Sequence, residues 1–329
     1  MHSPACAFII AFALASGAAA GEPVRPFFAY QASWYEVPAT TGAATTLAQL
    51  PGYIDTVLLG FAKPDVTYNG DLDLSGSGLQ YPFPGRVLKD AIGVLKTRNP
   101  GTRVLISIGG SGYHDRWGRL DEVAVARLVR DLGADGVDID YEPASPGCRK
   151  ERERMRCETD GVWTDLVTRF RRVLPRPSLL TIPGWSVGAY GEGEFAREKP
   201  PSPFTGVMLG LLRSPAAREV DAISIMGYEA GAAFDPVRAA AAYRHYWPGA
   251  LTVGVPVLPD NTGGPRFTEA YTRQILTQVQ RVPGVGAMLY ALRLTPPGAP
   301  SPDNPGYQAL ARTICSALAK SQPCDEPVP

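Results

Sequence analysis

Short apolar, β-branched runs recur along the chain, each closed by glycine, proline or polar residues. Eight of them read as strands: Phe27–Tyr30, Thr56–Phe61, Val104–Ile108, Gly136–Asp140, Leu179–Ile182, Ala222–Met226, Thr252–Val255 and Gly286–Tyr290. Between most of them the apolar spacing changes to that of a helix. Arg86–Arg98 places Val87, Leu88, Ala91, Ile92, Val94 and Leu95 on one face. Asp121–Leu132 does the same with Val125, Leu128, Val129 and Leu132, and Gly133 follows as a C-cap. Asp235 and Pro236 supply an N-cap and a first-turn proline for Val237–Tyr246. Phe267–Arg281 and Tyr307–Lys320 complete the predicted helices. Buried strands alternating with helices occur in barrels and in doubly wound sheets alike, and periodicity does not separate the two. The count of eight predicts an α/β fold, a (β/α)8 barrel in one domain.

Composition narrows the class. The chain has 329 residues, 32 Lys+Arg against 32 Asp+Glu, and 45% hydrophobic residues. Disordered chains carry more net charge and fewer apolar residues. Generic nucleic-acid binders carry a basic excess, so no nucleic-acid partner is expected. Gly 35 and Pro 32 point to many turns, without the period of collagen. Residues 1–20 hold no Asp, Glu, Lys or Arg, and their apolar stretch ends at Ala18-Ala19-Ala20. This reads as a signal peptide, leaving residues 21–329 as the folded domain of a secreted or periplasmic protein. No other apolar run is long enough for a membrane span. Beyond Cys6, the four cysteines form two local pairs, and Cys148–Cys157 with Cys315–Cys324 is the favoured connectivity. The charged stretch Arg149–Arg156 between the first pair reads as a solvated loop.

The chemistry concentrates in Asp135-Gly-Val-Asp138-Ile-Asp140-Tyr-Glu142. Strand side chains two apart face the same way, so Asp138, Asp140 and Glu142 share one face and Val137, Ile139 and Tyr141 the other. In a barrel the acids line the axis, with Glu142 at the C-terminal mouth. Two carboxylates about 5 Å apart at an effective dielectric near 20 repel by about 3 kcal/mol. That is on the order of two pKa units. The set therefore titrates together and keeps at least one proton at neutral pH, the condition a general acid requires. The plainer readings are a solvated acidic edge strand, which the apolar flanks disfavour, and a D-x-D metal site, for which the motif alone is weak evidence.

With these residues the sequence resembles glycoside hydrolase family 18, the chitinases and endo-β-N-acetylglucosaminidases. The family motif D-x-x-D-x-D-x-E is matched by Asp135, Asp138, Asp140 and Glu142. S-x-G-G appears as Ser107-Ile108-Gly109-Gly110, and M-x-Y as Met226-Gly227-Tyr228. Tyr30 and Trp34 after the first strand, and Phe61 after the second, are weaker echoes. The resemblance implies a retaining mechanism assisted by the substrate's own acetamido group. On it, Glu142 is the acid, Asp140 orients the acetamido group, Asp138 supports Asp140 by sharing a proton, and Tyr228 binds the acetamido oxygen. Tyr30, Trp34, Phe61, Ser107, Gly109, Gly110, Trp185, Met226, Glu229 and Tyr290 then form the substrate site. Neither cofactor nor metal is implied, and a monomer is expected.

Two residues depart from the family pattern. Glu229 stands where chitinases commonly carry Asp, and Tyr290 where they commonly carry Trp. About thirty residues separate the last two strands, too few for the α+β insertion of many chitinases, so an open groove is expected. The leading reading is a secreted hydrolase of β-1,4-linked N-acetylglucosamine. The alternatives are a silent chitinase-like lectin and an endoglycosidase acting on N-glycan cores or peptidoglycan. Trp34 and Trp185 suit either sugar stacking or the core, whereas Trp247 suits the core.

Overall fold

A computed structural model describes residues 25–329. The expected signal peptide and Cys6 lie outside the described residues. Eight parallel strands close into a barrel: β1 (Phe27–Ala32), β2 (Thr56–Ala62), β3 (Arg103–Gly109), β4 (Gly136–Asp140), β7 (Leu179–Trp185), β8 (Ala222–Met226), β9 (Ala250–Pro256) and β10 (Val285–Leu292). The order around the barrel is β1-β10-β9-β8-β7-β4-β3-β2. Each strand pairs on both sides, so no edge remains open. Every one of the eight expected strands is present.

Around the barrel lie α1 (Gly85–Arg98), α2 (Glu122–Leu132), α3 (Asp160–Val173), α4 (Leu209–Leu212), α5 (Pro236–Tyr246), α6 (Glu269–Val279) and α7 (Tyr307–Ala317). The expected caps hold. Gly133 closes α2 at φ 72°, and Asp235 accepts from the N–H groups of Val237 and Arg238 to open α5. Helices α6 and α7 are shorter than expected at their ends, where fraying is normal. Helix α3 was not anticipated, although Trp163, Leu166, Val167 and Phe170 repeat at helical spacing and are all buried. Truncating a ring such as Phe170 in this layer costs about 3–5 kcal/mol.

The apolar residues fall into two bodies. The larger packs the outer strand faces against the helices. The smaller fills the barrel's interior, with Phe28, Leu58, Leu105, Ala222 and Met288 among its members. Val137, Ile139 and Tyr141 of the carboxylate strand are buried in the outer body, as alternation requires, with Tyr141 set edge-on to Trp117 and Trp163. Trp247 is a core residue whose indole N–H donates to the Ala217 carbonyl.

One expectation is corrected. Residues 149–156 are not a loop but an antiparallel hairpin, β5 (Arg149–Glu151) with β6 (Arg154–Arg156). Both expected disulfides are formed, and Cys148–Cys157 closes the base of this hairpin. Its one apolar side chain, Met155, is buried, and that anchor orders an otherwise charged segment.

Candidate active site

Strand register builds the acid column. On the strands flanking β4, Ser107 and Thr181 are the partners of Asp138. Both hydroxyls donate to its carboxylate, at 2.7 Å and 2.6 Å. Tyr30 reaches across the barrel and donates to the same carboxylate at 2.7 Å. Burial pushes the Asp138 carboxyl up, and these three hydroxyls pull it back. The contacts of Asp138 therefore run to hydroxyls, and its influence on Asp140 is through charge.

Asp140 has no such support. Its side chain is buried, and Oδ1 has no hydrogen-bond partner. Burial first, then the charges of Glu142 and Asp138, hold its carboxyl well above the usual range. Glu142, at the mouth, is pushed up to about 7 by burial and by the charge of Glu229, against a hydrogen bond from the Ser111 N–H. At neutral pH the column thus retains protons, with Glu142 poised to lose one near pH 7.

The two glycines of Ser107-Ile-Gly-Gly let β3 approach this column. Gly109 has φ 107°, and a Cβ there would lie 2.2 Å from the Asp140 carbonyl oxygen and 2.5 Å from the Trp117 ring. The Gly110 N–H then donates to that carbonyl at 2.9 Å. The turn is accordingly a device for seating Asp140.

Above the acids opens a cavity of about 690 Å³, lined by Asp140 and Glu142 and bordered by aromatic side chains. Successive ring contacts run from the exposed Trp34 to Phe61, Tyr30, Tyr290 and Tyr228. Tyr30 and Tyr228 have phenols held well above the ordinary value, by burial and by the neighbouring acids, so they stay protonated donors. Of the expected site residues, Tyr30, Trp34, Phe61, Gly109, Gly110, Asp140, Glu142, Trp185, Met226, Tyr228, Glu229 and Tyr290 all border the cavity. Ser107 and Asp138 lie beneath it, fully buried. Trp185 has one face covered by Phe204, stacked at 3.8 Å and 8°, and still reaches the cavity. Glu229 is exposed at the rim with φ 50°.

Three site residues were missed. Thr181 carries an inward polar group in phase on a predicted strand, a readable signal. Ser111 acts through its backbone, and Asp260 reaches the cavity from the loop after β9. Neither of those two leaves a mark in the sequence.

No protein-family model matches the chain. A segment of 108 residues is 35% identical to a chitinase of Plasmodium falciparum, spanning 30% of this chain and 28% of that relative's length. Solved structures share the whole fold. The second catalytic domain of the Group II chitinase of Ostrinia furnacalis, a mutant in complex with (NAG)5, superposes with a TM-score of 0.58 at 16% identity, over 93% of this chain and 99% of that one. A chitinase of Rhizomucor miehei gives 0.53 at 17% identity, over 89% and 100%. Human YKL-39, described as a pseudo-chitinase with retained chitooligosaccharide binding, gives 0.60 at 11%, over 90% and 100%. The chain is therefore chitinase-like, in its barrel throughout and in sequence over that matched segment, as the resemblance to glycoside hydrolase family 18 implies.

Proposed function

We propose that the protein is a secreted, retaining glycosidase that cleaves β-linked N-acetylglucosamine polymers with help from the substrate's acetamido group. The observation that carries this reading is the pairing of Glu142, raised to about 7, with the buried Asp140, whose Oδ1 is unpartnered. Protonated Glu142 gives its proton to the glycosidic oxygen. The C1–O bond breaks as the acetamido carbonyl oxygen bonds to C1, giving an oxazolinium ion. As positive charge develops on the acetamido group, Asp140 passes its proton to Asp138, accepts a hydrogen bond from the acetamido N–H and offsets that charge. The phenol of Tyr228 donates to the acetamido oxygen. Glu142, now a carboxylate, takes a proton from water, whose oxygen bonds to C1 as the ring of the intermediate opens. Two displacements at C1 retain its configuration. The described two disulfides suit an oxidising compartment, and no helix among the described residues is long and apolar enough to cross a membrane.

A second reading is favoured by one observation: the fold is shared with the pseudo-chitinase YKL-39. That reading is a sugar-binding protein without turnover. The test incubates the protein and its Glu142→Gln variant with chito-oligosaccharides and with an N-glycan carrying a di-N-acetylchitobiose core, with products read by mass spectrometry. Cleavage by the unmodified protein alone supports the hydrolase, and the glycan cut selects the branch. Binding of either glycan without cleavage supports the lectin. Equal cleavage of a substrate lacking the N-acetyl group removes substrate assistance.

A further inference from the structure

The chain has no net charge, but the β5–β6 hairpin does. Residues 149–156 hold Arg149, Lys150, Arg152, Arg154 and Arg156 against Glu151 and Glu153, a local excess of +3. The register sorts these side chains. Lys150 opposes Met155, Arg149 opposes Arg156, and Glu151 opposes Arg154. Because Met155 points into the protein, Arg149, Glu151, Arg154 and Arg156 share the outward face. Glu151 takes its hydrogen bond from Arg149 at 2.9 Å, and Glu153 lies 3.7 Å from Lys150. Arg152, Arg154 and Arg156 make no ion pair among the described residues. All three are exposed.

This basic face is rigidly mounted. Its base is closed by Cys148–Cys157. The Met155 N–H donates to Glu192, and Arg213 bonds both the Met155 carbonyl and Glu192. Met155 sits so close to Gly191 and Gly206 that a Cβ on either would come within 2.5 Å and 2.7 Å of it.

The mount also ties the hairpin to a segment that borders the cavity. It follows β4 on the C-terminal side of the barrel, a few residues beyond Glu142, and packs on the 187–206 segment. The same segment carries Pro200–Phe204, which wall a groove of about 320 Å³. The groove shares Trp185, Ser186 and Glu229 with the main cavity.

We propose that the hairpin is a docking surface for carboxylates carried by the same polymer that the cavity takes, so that the preferred substrate is an acidic β-linked N-acetylglucosamine glycan rather than neutral chitin. The inference rests on the glycosidase reading above. Guanidinium groups match carboxylates in charge and in bidentate geometry, and exposed charge of one sign steers an oppositely charged chain. The disulfide and the Met155 anchor keep that face formed before the polymer arrives, which lowers the ordering cost of binding.

The test measures binding in the Glu142→Gln background, where the polymer is not consumed. The probes are carboxymethyl chitin, which is anionic, and glycol chitin, which is neutral. Expected at about 10 mM salt is a preference of roughly tenfold for the anionic polymer. It should vanish at about 1 M salt, where screening acts over about 3 Å. Replacing Arg152→Gln, Arg154→Gln and Arg156→Gln together should abolish the preference and leave glycol chitin binding and thermal stability unchanged. Equal binding of both polymers, or a preference that survives the triple change or high salt, overturns the proposal while leaving the glycosidase reading intact. The salt titration needs no substitution, so it decides even if the triple variant misfolds. Phosphatidylglycerol vesicles bound as tightly, through the same arginines, would reassign the hairpin to lipid and also overturn it. Binding of neither polymer means that the sugar site itself has failed, and the hairpin proposal fails with it.

Discussion

Strand β4 carries acids at both of its ends, and the two ends treat them oppositely. At the entry, Asp135 accepts from the Val104 N–H at 2.8 Å and pairs with Lys96 at 2.8 Å. At the exit, Asp140 has an unpartnered oxygen, and its nearest charges are other acids. The entry arrangement recurs around the barrel floor. Asp55, just before β2, accepts from the Phe27 N–H and pairs with Lys320. Asp221, just before β8, accepts from the Leu180 N–H and pairs with Arg171. In all three, the aspartate's own N–H returns a bond to the carbonyl of the same residue. The floor therefore uses acids as staples between neighbouring strands, each with a cation. The mouth leaves them facing one another at an energetic cost. The structure thus separates acids that hold the barrel together from acids left facing one another at its mouth, and it is to these that the glycosidase proposal assigns the chemistry.

Substitution at the two ends should break function and stability separately. The largest expected effect is at Glu142. Glu142→Gln removes the proton donor, and turnover should fall by about 10³-fold or more while sugar binding persists, which assays of kcat and of binding can check. Asp140→Asn keeps the shape but removes the charge that balances the oxazolinium ion. A loss in kcat of roughly 10²–10³-fold is expected. Unchanged turnover in either variant would place the chemistry elsewhere.

Stability should respond in opposite senses. Burial raises Glu142 from 4.5 to about 7, so its neutral form is the one the fold favours. Its contribution is intact below about pH 4.5 and is lost as pH rises through about 7. That shift corresponds to about 3 kcal/mol. Glu142→Gln should therefore gain up to that amount at pH 8 and nothing at pH 4, as denaturant melts at the two pH values can show. At the floor, Asp221→Asn takes from the half-buried Arg171 its nearer carboxylate, at 2.8 Å, and leaves it only Glu219 at 3.3 Å. It should cost about 1–3 kcal/mol, with the turnover of the folded protein unchanged. If Asp221→Asn instead stabilised the protein, the staple interpretation would fail.

The two ends were not equally legible in the sequence. The strands were readable because a closed barrel buries both faces of each, leaving short apolar runs between turn residues. The acid column was readable because three carboxylates in phase cannot all be solvated by a buried strand. Helix α3 was readable and missed: its apolar residues keep helical spacing among arginines that pair with Glu122, Glu219 and Asp221. The hairpin was hidden because its alternation rests on one methionine among charges. The bond from Tyr30 to Asp138 was beyond reach, since it joins residues 108 apart across the barrel. The staples were likewise invisible as a set, because each aspartate finds its cation on a different helix or at the helix end, as with Lys320.

The smallest expected effect tests whether the mouth divides further, into chemistry and binding. Trp34 is 44% exposed at the end of the aromatic series, against Phe61 and Tyr35. Its turn is held from below by the buried Glu36, which accepts from Gln31, Thr46 and the Leu47 N–H. From the side, Arg293 donates to the Tyr35 carbonyl at 2.7 Å. The support does not pass through the indole, so Trp34→Ala should leave the turn and the melting temperature nearly unchanged. It removes an aromatic face worth about 0.5–1.5 kcal/mol in a ring contact, or roughly two- to tenfold in KM. The acid column lies deeper and keeps its own contacts, so kcat and the pH at which Glu142 titrates should stay where they were. A fall in kcat with unchanged KM would instead mean that the aromatic series reaches the transition state. Binding and chemistry at the mouth would then be one device.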